Sequence, residues 1–260
     1  MSIHPTAIVA EGAVIPASCT VGPYCTIGAH VVLGENCELI SHVVLEGQTT
    51  IGNGNRIFSF ACVGIAPQDL KYAGEATGVA IGDGNSIREF VTISRGTAGG
   101  GGVTKIGSDC LIMAYVHIGH DSVVGNGCIL PNGATLAGHV TVEDYATLSA
   151  NAPVHQFCTI GRYAYVGGGT TITQDVMPYS LTSVERNNAT YGINKVGLQR
   201  KGFTPEQLRE LSTAMRLLTN RKRNTTQALE EMEALLAEGA GEHVRYLAEF
   251  VKKSERGVIK

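Results

Sequence analysis

Aliphatic side chains recur at every sixth residue along most of this chain. From Ile3 the step runs through Val9, Ile15, Val21, Ile27, Leu33, Leu39, Leu45, Ile51, Ile57 and Val63. It resumes at Ile81, Ile87 and Ile93, and again from Ile106 through Ile112, Ile118, Val124, Leu130, Leu136, Val142, Leu148, Val154, Ile160, Val166 and Ile172. All 26 positions are aliphatic, which chance does not produce. Two residues before most of them stands a small side chain, as at Ala7, Cys19, Cys37, Ala61, Cys110, Ala134 and Cys158, and glycine often follows. A short strand alternates its side chains, so each hexapeptide sends one large aliphatic group and one small group inward. Three such strands close a triangular turn of 18 residues, and turns stack at the ~4.8 Å spacing of paired strands. The pattern predicts a mainly β chain: a left-handed parallel β-helix of hexapeptide repeats over residues 1–190.

Two segments break the step. Residues 64–80 (GIAPQDLKYAGEATGVA) occupy a turn's length without it, and residues 94–105 (SRGTAGGGGVTK) shift its register by one. Both read as loops thrown out from the prism, where solenoids often place binding functions. The solenoid is expected to end near Pro178, and residues 191–260 form a C-terminal helical domain. There Thr204-Pro205-Glu206-Gln207 is a capping-box start with Pro at the first helical position. Leu208, Leu211, Met215 and Leu218 follow at helical spacing. A second helix carries Leu229, Met232, Leu235 and Leu236 and stops at Gly239; a third carries Val244, Leu247, Phe250 and Val251. Such helices would cap strand edges left open at the end of the solenoid.

Composition fits repetition: Gly is high at 33, Trp is absent and aromatic residues are 6%. The N-terminus has neither the basic start nor the apolar block of a signal peptide. No apolar run approaches the ~18 residues a membrane span needs, and the expected location is the cytoplasm. Charge is uneven: residues 1–194 hold 7 Lys/Arg against 14 Asp/Glu, residues 195–260 hold 13 against 9. The basic tail, including Arg200, Lys201, Arg221, Lys222, Arg223, Lys252 and Lys253, suits an acidic partner or phosphorylated substrate, or simply a solvated helical surface. Six of the seven Cys (Cys19, Cys25, Cys37, Cys110, Cys128, Cys158) fall at the small inward position and read as core fillers; only Cys62 is off that register.

His117, His120, His139 and His155 occupy neither inward position, so all should point away from the packed interior. Reduced by the 18-residue turn they fall at 9, 12, 13 and 11, along one edge of the prism on neighbouring turns. Such an edge can be a metal site, an acid–base site or a structural feature. Imidazole is a natural base near neutral pH, and Asp121 adjoins His120 as an orienting carboxylate. No G-x-S-x-G elbow occurs and the cysteines are buried, which argues against a covalent enzyme intermediate. Gly138, beside His139, offers a backbone N–H near that edge for an oxyanion.

The motifs IHPTAIV, PQDLKYAGE, HIGHD, NGATLAGHV, VHQFCTIG and GLQRKGF, together with the helical tail, resemble the bacterial acyl-carrier-protein–UDP-N-acetylglucosamine O-acyltransferases of lipid A biosynthesis. The resemblance spans essentially the whole chain, and DLKYAGE and GLQRKGF belong to the family rather than to the fold. It implies a homotrimer with active sites between subunits. It also implies transfer of an (R)-3-hydroxyacyl chain from the phosphopantetheine of acyl carrier protein to the glucosamine 3-position of UDP-N-acetylglucosamine, with no metal or cofactor of the enzyme's own. On it, His120 is the general base, Asp121 its partner and Gly138 the oxyanion donor. Asp69 and Lys71 contact the sugar and its phosphates, while His117, His139, His155 and Gln156 line the cleft. Asn194 and Arg200 contact the nucleotide, Gly168 measures acyl length, and the basic tail faces acyl carrier protein.

This sequence departs from the family at Ser94, where His is common, and at Val196, where an acid is common. Both departures bear on the acceptor, which in some members carries a 3-amino group. The related N-acyltransferases carry a uridine-binding domain before the solenoid, whereas here the repeat begins at Ile3. Acetyl-CoA-dependent acetyltransferases lack the DLKYAGE loop. A non-catalytic scaffold would leave the histidine edge without a purpose.

Overall fold

In a computed structural model, which describes residues 2–184, 188–220 and 222–260, the hexapeptide step becomes a left-handed parallel β-helix. Arg221 of the basic tail lies outside the described residues. Three sheets of 11, 8 and 7 strands form the faces of the prism. Turns repeat every 18 residues, as Ser2 beside Thr20, Ile8 beside Thr26 and Val32 beside Thr50 show. From Val21 to Ile172 every aliphatic step is buried, and only Ile3, Val9 and Ile15 at the open N-terminal end are partly exposed. Burying such a side chain contributes about 1.5–3 kcal/mol, so the repeat itself supplies the driving force. The six register cysteines are buried within this core, and all seven are free thiols.

The two insertions are narrower than the broken pattern suggested. The first flanking strand continues to Ile65 and the chain rejoins the prism at Gly78, with Val79 inward. The second strand ends at Ser94 and the next begins at Val103. Thr50 pairs with Ala80, thirty residues on where a plain turn takes eighteen, so residues 66–77 add twelve at one corner. Ala80 pairs with Lys105, twenty-five residues on, so 95–102 add seven at the same corner one turn later.

Corners turn in the left-handed backbone region. Tyr24, His42, Phe60, Phe90 and Tyr115 have φ between 52° and 65°, a region that costs a non-glycine residue about 1 kcal/mol or more. Here the rings stack with centroids 4.8–5.0 Å apart along one edge. Each such pair is worth about 0.5–1.5 kcal/mol, which offsets the backbone strain.

The far end of the prism is closed by three devices. The strand Ser180–Val184 joins the 11-stranded sheet beside Tyr165 and Val166, then pairs antiparallel with Asn188–Ile193. The C-terminal residues return, with Asp175 pairing with Val258 and Ile259 entering the prism core. The edge therefore gets backbone partners, while the helices pack beside it in a second core around Met177, Tyr179 and Leu198. These are α1 (Lys195–Arg200), α2 (Pro205–Thr219), α3 (Thr225–Ala237) and α4 (Glu242–Lys253). The Thr204/Gln207 capping box opens α2 as the sequence suggests; the hairpin has no comparable sequence signal, and α1 has only its N-cap, Asn194. No helix among the described residues is long and apolar enough to cross a membrane.

Candidate active site

One edge of the prism, between the 8- and 7-stranded sheets, collects nearly everything polar that the sequence singled out. On successive turns it carries the 66–77 loop, the 95–102 loop, His120–Asp121, Gly138–His139 and Gln156–Phe157. Asp121 and His139 sit in the left-handed corner conformation, with φ of 59° and 60°. The turn geometry aims them outward from consecutive rungs.

The Asp121 side chain is wholly buried. Its Oδ1 accepts the Thr97 N–H at 2.9 Å, and its Oδ2 accepts the Thr97 hydroxyl at 2.6 Å. Its own N–H donates to Thr104 Oγ1 at 2.9 Å. Burial pushes this carboxyl upward, but the bonds from Thr97 and His120 and the charge of His139 outweigh it and hold it below the usual carboxylate range. His120 Nδ1 lies 2.8 Å from Oδ2. A carboxylate can only accept, so Nδ1 carries a proton, and in the neutral ring Nε2 is the atom with the bare lone pair. The glycine run of the second loop makes this cradle. A Cβ on Gly100 would lie 2.0 Å from Asp121 Cγ, and one on Gly96 2.8 Å from Oδ1.

Gly138 faces the other side of His120. A Cβ there would fall 2.6 Å from His120 Nε2 and Cε1, so the imidazole occupies the space a side chain would take. The Gly138 N–H has no acceptor among the described residues. His139 stands edge-on to His120 with ring centroids 5.1 Å apart, its Nε2 3.9 Å from Asp121 Oδ2, and stacks on Phe157 at 4.6 Å. His117 is half-buried on the strand that leads into His120, with Nδ1 2.8 Å from Thr92 Oγ1 of the neighbouring turn. Burial, and then the neighbouring His120, push its imidazole below the ordinary value, so it is neutral at physiological pH. His155 and Gln156 lie exposed at the next rim, where His155 Nδ1 bonds the Gln156 carbonyl oxygen at 3.1 Å. Gly168 is exposed near Ser149 and Ala150. Asp69 and Lys71 sit on the first loop, where Asp69 Oδ1 accepts the Lys71 N–H at 3.0 Å. Thr92, Thr97, Thr104 and Phe157 complete the site, and sequence reasoning missed all four.

Asn194 and Arg200 are elsewhere. They line a groove of about 580 Å³ on the outer face of the 11-stranded sheet, with Ile129, Thr147, Tyr163, Tyr165 and Val196. Asn194 caps α1, accepting the Gly197 N–H at 3.2 Å, and donates to the Tyr163 carbonyl oxygen at 3.1 Å. That face lies opposite the histidine edge, with the packed interior between them. Of the two departures, Val196 is 59% exposed in this groove, whereas Ser94 is buried with a hydroxyl that finds no partner among the described residues.

The donor atoms of His120, Asp121 and His139 lie within 4.8 Å of one another, close enough to hold a metal ion. Both Asp121 oxygens are already committed, however, to two donors of Thr97 and to the His120 N–H. A cation would have to displace those bonds, so the set is better suited to acid–base chemistry.

Comparison with known proteins agrees along the whole chain. The family model described as UDP-N-acetylglucosamine O-acyltransferase, domain 2, matches residues 175–259, and the bacterial transferase hexapeptide model matches 104–138. The UDP-N-acetylglucosamine acyltransferase of Francisella novicida is 40% identical, covering 99% of this chain and 93% of its own, with a TM-score of 0.94. The UDP-N-acetylglucosamine O-acyltransferase of Moraxella catarrhalis is also 40% identical, with both chains fully covered and a TM-score of 0.94. A related structure from Acinetobacter baumannii is 39% identical over 99% of both chains, with a TM-score of 0.95.

Proposed function

Because this chain belongs to the UDP-N-acetylglucosamine O-acyltransferase family and is an acyltransferase, we propose that it transfers an (R)-3-hydroxyacyl chain from acyl carrier protein to the glucosamine 3-position of UDP-N-acetylglucosamine. This would be the first step of lipid A biosynthesis, carried out in the cytoplasm. The sugar hydroxyl attacks the thioester carbonyl while His120 Nε2 removes its proton. Asp121 fixes the ring and stabilises the imidazolium, and the Gly138 N–H binds the developing oxyanion. As the tetrahedral adduct collapses, the C–S bond breaks and the proton passes from His120 to the departing phosphopantetheine thiolate. No metal or cofactor of the enzyme's own takes part. What supports this chemistry above all is the outward Nε2 of a ring locked through Nδ1 on a buried carboxylate, beside a Gly138 N–H with no acceptor among the described residues.

The position of Asn194 and Arg200 supports a site shared between copies, as the homotrimer implied by the family resemblance requires. A sugar nucleotide at the histidine edge cannot reach the opposite face of the same prism, so a neighbouring copy supplies that groove. The basic tail is then the surface that meets the acidic carrier protein.

Incubating the purified protein with UDP-N-acetylglucosamine and hydroxyacyl carrier proteins of several lengths, with mass spectrometry of the sugar nucleotide, tests this directly. Acylated product is the expected result. Product only with a 3-amino sugar nucleotide would move the acceptor assignment to that analogue, in line with Ser94 and Val196; no product with either would sink the reading.

A further expectation concerns chain length. A Cβ on Gly168 meets only Ala150 O at 3.6 Å and Ser149 Cβ at 3.9 Å, ordinary contacts that leave the backbone undisturbed. Gly168→Leu should therefore fold normally and shift donor preference to chains shorter by several carbons, with activity on the short donor kept. An unchanged length profile would remove Gly168 from the acyl path.

A further inference from the structure

One residue, Arg95, ties the two insertions together with both its backbone and its side chain. Arg95 opens the second loop. Its N–H donates to the Ile65 carbonyl oxygen at 3.0 Å, and the Gly96 N–H donates to the Gly78 carbonyl oxygen at 3.1 Å. Ile65 and Gly78 are the two feet of the 66–77 loop, so two consecutive amides hold its base closed. The next residue, Thr97, grips the Asp121 carboxylate with both its N–H and its hydroxyl.

The Arg95 side chain reaches the middle of the same loop. Its Nε donates to the Tyr72 hydroxyl at 2.7 Å and its Nη1 to the Gly64 carbonyl oxygen at 3.0 Å, with the guanidinium 5.3 Å from the Tyr72 ring centre. Tyr72 in turn donates its hydroxyl proton to the Glu75 carbonyl oxygen at 2.9 Å. The route is kept open at Gly47, where a Cβ would come within 3.0 Å of Arg95 Cδ and φ is +62°. The loop has no regular secondary structure and its Leu70 is fully exposed at the tip. Without such a tie, twelve added residues would keep much of their conformational freedom.

We propose that Arg95 is a positioning residue of the reaction: by clasping Tyr72 and the loop base it holds Asp69 and Lys71 at a fixed place relative to His120–Asp121. Its consequence for sugar-nucleotide binding rests on the function proposed above; its consequence for the loop does not. Residues 95–97 thus act as a bracket, with the substrate loop on one side and the catalytic carboxylate on the other. Lysine cannot replace the guanidinium, because a single ammonium does not reproduce the planar fork that serves Tyr72 and Gly64 together.

The test uses Arg95→Gln, Tyr72→Phe and the double variant, read by hydrogen–deuterium exchange and by steady-state kinetics. The amides of Lys71 and Tyr72, bonded to Asp69 at 3.0 and 3.1 Å, should exchange roughly tenfold faster or more in each single variant, the loss expected for a hydrogen bond to a charged group. Exchange of the prism strands should stay as in the wild type. KM for the sugar nucleotide should rise by roughly ten- to a hundredfold with kcat within about threefold, the signature of lost positioning of a bound ligand. The double variant should be no worse than the worse single one, since both break the same clasp. Additive effects, unchanged loop exchange, or a fall in kcat at constant KM would overturn the proposal. Should Arg95→Gln fail to fold, Tyr72→Phe removes only the hydroxyl and carries the same readouts. If the wild type acylates neither acceptor, the functional reading fails while loop exchange still decides the clasp.

Discussion

Replacing His120 with alanine is expected to lower kcat by about 10²–10⁴-fold, the usual contribution of a positioned general base. KM should change little, because the lost interaction is with a proton in flight rather than with the bound substrate. The fold should survive. The imidazole is held through a single Nδ1 bond to Asp121, and removing it leaves that carboxylate its two bonds from Thr97. His139→Ala is the informative contrast. That ring lies 3.9 Å from Asp121 Oδ2 and stacks on Phe157, so its loss should weaken the surroundings of the dyad without removing the base. Near-normal turnover by His120→Ala, measured by the same mass-spectrometric assay, would show that another group takes the proton.

Much of this arrangement could be read from residue numbers alone. The six-residue step specifies the prism, and the 18-residue turn places His117, His120, His139 and His155 on one edge before any coordinates exist. The shared origin of the loops was also within reach: Val63, Ile93 and Ile118 stack in one sheet, so both insertions must leave from the corner that follows. What the sequence could not show is what the loops touch. The run Gly99–Gly102 signals close backbone approach somewhere, yet nothing in its spacing names the Asp121 carboxylate as the thing approached. Thr97 was invisible for the same reason, since its role depends on how a seven-residue insertion folds back. The aromatic corners escaped notice because the left-handed region is normally read from Gly, Asn and Asp, whereas here stacking between rungs compensates a conformational cost. The hairpin Ser180–Val184 with Asn188–Ile193 follows the last aliphatic step at Ile172, so no period announces it.

The cradle around Asp121 makes a second, sharper expectation. Three donors converge on two oxygens: the Thr97 N–H, the Thr97 hydroxyl and His120 Nδ1. In Asp121→Asn the amide oxygen can replace Oδ1 and keep the Thr97 N–H, which puts the NH₂ group where Oδ2 was. The Thr97 hydroxyl can rotate and accept from it. His120 Nδ1 cannot remain a donor there, so it becomes the acceptor and the ring proton moves to Nε2. The variant therefore folds with its bonds satisfied and its base in the wrong tautomer. A fall in kcat of the order of 10³–10⁴-fold is expected, close to that of His120→Ala. Stability should separate the two states at acid pH. The folded-state pKa of Asp121 is depressed, so its contribution is fully present above the unfolded value of about 3.9 and is lost as pH falls through the lower folded value. Thermal melts between about pH 3 and 6 should therefore show wild type losing stability more steeply than Asp121→Asn below about pH 4. Parallel melting curves, or an Asn variant with nearly full activity, would mean that Asp121 neither carries its charge in the folded protein nor sets the tautomer of His120.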